Sequence, residues 1–236
     1  MRHSPVLPGL LLLAVAHAAP VRAQEHGDHA ESSDHEARAR AGADAPASQP
    51  KPARWLIRLD RPDRGSADDV MFTEMSPGWH VTTGPAVILH HPASSANGEY
   101  RLESEMFLFD PGERREGYGV FFGGVDLEGD RQRYTYFLLR RDGRYLIKTR
   151  SGAETAVVRD WTEHPAIIGW ESKPADAGTA HNTIAVDVGP AHVSFLVNGT
   201  EVDRLGRTEL PATDGIFGLR VNHGLNLHVT SVGATP

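Results

Sequence analysis

Residues 181–202 read HNTIAVDVGPAHVSFLVNGTEV, and their alternation decides the fold class. In the first segment Ile184, Val186 and Val188 share one face while Thr183 and Asp187 share the other. HVSFLV repeats the pattern with Val193, Phe195 and Val197. A period of two sends successive side chains to opposite faces of an extended chain, so each segment predicts a half-buried antiparallel strand. Asn198-Gly199 follows, and both residue types tolerate the positive φ of a two-residue hairpin.

The pattern continues on both sides. Downstream, GIFGLRVN sets Phe217, Leu219 and Val221 opposite Arg220 and Asn222, and LNLHVTSV sets Leu225, Leu227 and Val229 opposite Asn226, His228 and Thr230. Upstream, AVILHH (86–91), EYRLESEMFLF (99–109), YGVFFGGV (118–125), YTYFLLR (134–140), RYLIKTR (144–150) and ETAVV (154–158) read as further strands. Asp142-Gly143 marks a second two-residue hairpin between YTYFLLR and RYLIKTR. With TEVDRL after the Asn-Gly turn, the candidates number eleven, with no amphipathic helix and no repeat of fixed period. This predicts an all-β, two-sheet antiparallel sandwich or jelly roll and argues against a propeller. Trp161 to Asn182 carries no strand pattern, and its Trp161, His164 and Trp170 predict a long but ordered loop.

The N-terminus is of a different kind. Arg2 and His3 precede an apolar run, Leu10 to Ala16, and Val21-Arg22-Ala23 offers small residues for a signal peptidase. The run is shorter than the ~20 residues a membrane helix needs, so residues 1–23 predict a cleaved signal and an exported, periplasmic or secreted protein. Residues 24–52 lack aliphatic side chains other than alanine and predict a disordered linker rich in His and acids. His26, His29 and His35 read there as part of a solvated tail rather than a metal site. The remaining span, 53–236, predicts one sandwich domain.

Of the 236 residues, Lys and Arg supply 24 and Asp and Glu 31, a formal charge of -7. That balance argues against nucleic acid as a partner, which needs a basic face. The chain has no cysteine, which excludes disulfides, thiolate catalysis and thiolate metal sites. Apart from the apolar run, no stretch predicts a membrane span, and no motif predicts a cofactor.

Candidate site residues come from the polar faces of the strands. Glu103 and Glu105 stand two apart on one strand, so they share a face at roughly 6.6 Å along the backbone. Paired carboxylates at such separations suit glycosidic-bond hydrolysis, but a solvated strand face shared with Arg101 is the favoured reading. Lys148, Arg220, Asn222 and His228, with Tyr134 and Tyr136 as stacking planes, predict a polar floor for a glycan or a similar small polar ligand. Trp79, Trp161 and Trp170 read as core residues or as further planes. Asp126, Glu128 and Asp130 alternate acids in one loop. Arg131 and Phe137 occupy the positions where a calcium-binding EF-hand loop needs Gly and Glu, so a polar loop is expected and no metal site is predicted.

The order GEYRLESEMFLF, GYGVFFGG, HNTIAVDVGPAHVSFLVNGTEV and DGIFGLRVNHGLNLHVTSV resembles the concanavalin A-like lectin/glucanase jelly rolls. Within them it is most similar to the 3-keto-disaccharide hydrolase-like family, with laminin G-type sandwiches next. The resemblance implies a carbohydrate-binding jelly roll and leaves open whether it cleaves a glycosidic bond. The other class left open is a non-catalytic sandwich serving protein interaction or envelope structure. Against catalysis, the glucanases carry three spaced acids on one strand, and Glu103 and Glu105 have no third.

Overall fold

The computed structural model describes residues 51–236. The predicted signal at 1–23 and the linker, save for Lys51 and Pro52, lie outside the described residues. Fourteen strands follow in chain order. They are β1 (Leu56–Leu59), β2 (Val70–Glu74), β3 (Trp79–Thr83), β4 (Val87–Ala96), β5 (Tyr100–Leu108), β6 (Gly117–Val125) and β7 (Arg133–Arg140). The second half comprises β8 (Arg144–Ser151), β9 (Glu154–Glu163), β10 (Ala180–Val188), β11 (His192–Val197), β12 (Thr200–Gly206), β13 (Gly215–Val221) and β14 (Asn226–Thr235). The helical content among the described residues is two single 3-10 turns, so no helix there is long and apolar enough to cross a membrane.

The strands form two antiparallel sheets of seven. One has the order β1-β4-β13-β6-β7-β8-β9 and the other β12-β11-β10-β5-β14-β3-β2. Their inner faces meet in a core drawn from the predicted apolar sets, including Leu89, Val120, Phe122, Phe137 and Leu219 from the first sheet. The second contributes Leu102, Met106, Ile184, Val186, Phe195 and Leu227. With no disulfide, this burial carries the stability of the fold.

The eleven predicted strands are all present, and three more are found. β1, β2 and β3 are only four or five residues long, and LIRL, VMFTE and WHVTT are too short for alternation to stand out. Trp79 of β3 packs edge-on against Trp55 at 5.1 Å and beside Phe72 at 5.5 Å, so it belongs to the core margin. The Asn198-Gly199 hairpin has two residues, with φ of 52° and 78°. The hairpin between β7 and β8 instead has three, Arg141 to Gly143, because Arg140 pairs with Arg144. Gly143 takes φ 74°, the left-handed residue that closes a three-residue turn.

The long connection is shorter than its pattern indicated. β9 runs on to Glu163, and β10 begins at Ala180. The loop between them is held by Asn182, which is fully buried. Its Oδ1 accepts from the Ile168 amide at 2.9 Å, and its Nδ2 donates to the Ile168 carbonyl at 2.8 Å. Ile167 is buried and Trp170 packs on the main core, which accounts for the order of this loop.

Candidate functional site

The outer face of the first sheet is recessed. Ile88, Phe121, Tyr134, Tyr136, Leu138 and Leu146 point away from the second sheet yet form a second buried cluster, with Trp161 and Ile216 packed against it. Phe121 is 0% exposed and Leu138 1%. Ordinary outward positions on a sandwich face water, so burial here marks a surface sunk between its surroundings. Gly119 helps make the recess. It pairs with Arg220 on one side and Leu138 on the other, and a Cβ there would stand 2.2 Å from the Phe137 carbonyl oxygen.

Into this floor are set charges. Asp60, just past β1, accepts on Oδ1 from Arg150 of β8 at 2.7 Å and from Arg220 of β13 at 2.9 Å. The side chains of Arg150 and Arg220 are 9% and 7% exposed, so both charges are largely withdrawn from water. The Arg220 guanidinium also lies 5.5 Å from the centre of the Tyr136 ring, while its Nε has no partner. Burial acts to raise the Asp60 carboxyl, but Arg220 and then Arg150 outweigh it and hold the group below its usual range. Burial likewise pushes the Tyr136 phenol up to about 12, and Tyr134 rises for the same reason. Arg58 of β1 donates to the Leu127 carbonyl at 2.7 Å and has a buried, unpartnered Nε.

Two clefts open over this floor and share Asp60 and Thr155. One, of about 660 Å³, is lined by Arg58, Arg61, Asp63, Asp130 and Arg150. The other, of about 370 Å³, brings Tyr136, Lys148, Trp161, Arg220, Asn222 and Glu116 together. The smaller cleft sets two aromatic side chains, Tyr136 and Trp161, among fixed polar groups, a combination that suits a small polar ligand.

Of the predicted ligand residues, Tyr136, Lys148, Arg220 and Asn222 therefore line one cleft. Tyr134 stands beside Tyr136 on the same face of β7, the two rings 5.8 Å apart, but does not line that cleft. His228, Glu103 and Glu105 do not join them. All three belong to the second sheet, on β14 and β5, so a single polar floor containing them does not form. Sharing the period-two polar pattern does not make residues share a sheet, and strand order separates them.

On that second outer face Arg101 binds Glu103 at 2.8 Å and Asp187 at 2.9 Å. Glu105 accepts from His181 at 2.9 Å and from the Thr230 hydroxyl. The Thr230 bond first, against the opposing effect of burial, and then His181 lower the Glu105 carboxyl. A general acid for glycosidic cleavage needs the opposite shift. His228 is packed against Phe107 at 5.7 Å and faces His80 at 6.4 Å. The Asp126 carboxylate turns onto its own loop and accepts from the Arg131 amide at 3.2 Å. Among the described residues, no group of three or more His, Asp or Glu is arranged to hold a metal ion.

Several site residues gave no signal in the sequence. Asp60 sits in RLDRPDRG, which reads as a polar turn, and its partners lie 90 and 160 positions away. Arg58, Arg150 and Glu116 are likewise brought in only by strand order. Trp161 read first as core and only second as a stacking plane, yet it lines the cleft with Arg140 lying 4.4 Å from its ring centre.

The solved structures to which the chain is similar share this architecture. A carbohydrate-binding module, CBM66 from Bacillus subtilis, superposes with a TM-score of 0.55 at 10% identity, over 78% of this chain and 96% of that one. A Bacillus licheniformis beta-glucanase gives 0.52 at 14% identity, over 77% and 92%. A Bacteroides ovatus mixed-linkage glucan GH16 protein in complex with a G4G4G3G product gives 0.54 at 8% identity, over 80% and 97%. The fold is a concanavalin A-like jelly roll. At these identities the likeness of the jelly roll to its neighbours is one of fold. No protein family matches the sequence, and no curated protein matches it.

Proposed function

We propose that the chain is an exported carbohydrate-binding jelly roll whose ligand lies on the recessed outer face of the first sheet. The observation that carries this is the convergence of Tyr136, Trp161, Lys148, Arg220 and Asn222 on one cleft over a buried aromatic floor. Aromatic planes stack on sugar rings, and ionic groups already fixed by Asp60 meet hydroxyls at little ordering cost. The structural neighbours support the ligand class, because they include a carbohydrate-binding module and a mixed-linkage glucan GH16 protein in complex with a G4G4G3G product. The export reading rests on residues 1–23 and is tested by N-terminal sequencing of the exported protein, expected to begin near Gln24.

Binding is favoured over cleavage on chemical grounds. Two-carboxylate hydrolysis needs one carboxyl kept protonated near neutral pH. Asp60 is held low by two arginines, Glu116 across the cleft stands beside His223 at 3.8 Å, and Glu103 and Glu105 lie on the other sheet. A glycan array probed with the full chain tests the proposal. Binding to one or more glycans that is lost in Trp161→Ala is the expected result, and an array with no bound glycan sinks it.

A further inference from the structure

The smaller cleft carries an excess of positive charge that the fold itself leaves uncompensated. Arg115, Lys148 and Arg220 line it against Asp60 and Glu116, and Arg150 draws on the same Asp60 carboxylate from below. Three cations thus line the cleft against two carboxylates, one of which, Asp60, is shared with Arg150, and His223 stands beside Glu116 at 3.8 Å. Among the described residues Lys148 and Arg115 make no ion pair, and Arg220, nearly fully buried, keeps an unpartnered Nε. The larger cleft is different, because Arg58, Arg61 and Arg150 are balanced there by Asp60, Asp63 and Asp130. Arg220 is buried and spends its pair on Asp60, whereas Lys148 is half-buried and Arg115 exposed, so these two cations stay free to meet an outside anion on a protein with formal charge -7. The overall negative charge does not cancel this. Screening over about 8 Å at physiological salt lets the nearest charges dominate.

We infer that the 370 Å³ cleft selects a saccharide bearing an anionic group, a carboxylate or a sulfate ester, placed between Lys148 and Arg220. This rests on the carbohydrate-binding reading and narrows it to acidic glycans. The sugar ring lies against the half-buried Trp161, and the anion adds to the charge balance that Asp60 begins. Arg220 is fixed by Asp60 and the Tyr136 ring, so it meets the anion without reordering. Lys148 supplies the mobile point charge.

Titration calorimetry on the full chain tests this with three probes: an oligogalacturonate, a dextran sulfate oligomer and a neutral mixed-linkage β-glucan oligosaccharide. An acidic probe is expected to bind at least about tenfold tighter than the neutral one and to weaken as salt rises. Lys148→Met, at a half-buried position without an ion pair, is expected to fold normally and to weaken the acidic probe by roughly 10- to 100-fold, the range for a lost hydrogen bond to a charged group. Arg115→Met checks the same effect at a second position. Preference between the two acidic probes identifies the anion, and either preference supports the inference. Equal binding of neutral and acidic probes, unchanged by Lys148→Met, overturns it while leaving the carbohydrate reading intact. No binding of any probe, with an empty glycan array, removes both.

Discussion

The two outer faces of the sandwich are built from the same alternation and end as different surfaces. On the first sheet the outward positions hold Phe121, Tyr134, Tyr136 and Leu138, all buried, with Asp60, Arg150 and Arg220 locked among them. On the second sheet the outward positions of β5 are Arg101, Glu103, Glu105 and Phe107, none of them buried. Their ion pairs are open to water, with Glu103 47% and Arg101 38% exposed. The difference teaches that a polar residue's place in the alternation says which way it points, while the depth of the surface decides what its charge is worth. A carboxylate between two guanidiniums in a recess organises the protein. One on an open strand face chiefly keeps the surface solvated.

Removing Asp60 is the sharpest way to break this contrast. Asp60→Ala strands two buried guanidiniums and is expected to lower unfolding free energy by about 3–5 kcal/mol in denaturant titrations. A loss below about 1 kcal/mol would mean that the recess is wetter than described. Leu138→Ala is expected to cost about 2–5 kcal/mol, the range for a core leucine, although it points away from the main core. A surface-like value would show that the second cluster is not a packed core.

Acid acts on both faces in separable windows. Burial lowers His80 on the second sheet and His90 on the first, so both stay neutral when folded. Below the unfolded value of 6.5 the unfolded chain binds the extra protons, and stability falls as pH drops toward the lowered native values. Asp60 adds its stabilisation above its unfolded value of 3.8 and loses it only as pH falls through the lower folded value. Stability measured from pH 7 to about 5 should therefore decline with a slope that His80→Gln and His90→Gln together flatten, while Asp60→Asn changes the slope only below about pH 4. The smallest effect belongs to the open face. Glu103→Gln is expected to change stability by no more than about 1 kcal/mol and to leave glycan affinity unchanged.

The sheet class was legible in the sequence because alternation survives wherever strands reach about six residues, as in β10, β11 and β14. It failed for β1 to β3, whose four or five residues are too few for alternation to stand out. Four residues of the cleft, Tyr136, Lys148, Arg220 and Asn222, were legible as outward-facing polar or aromatic side chains. Asp60, the group that orders them, was not. It is silent because a lone Asp after a four-residue strand has no periodicity to place it. His228 was drawn to the wrong neighbours for the same reason, since the order β10-β5-β14-β3 is set by the chain's crossovers and not by any local pattern.

Ligand is expected to meet the recessed face and not the open one. Backbone and side-chain NMR shift mapping of the full chain during titration with a glycan selected by the array tests it most directly. The account predicts shifts concentrated at Tyr136, Lys148, Trp161, Arg220 and Asn222. Shifts concentrated instead at Glu103, Glu105, His181 and His228 would contradict it.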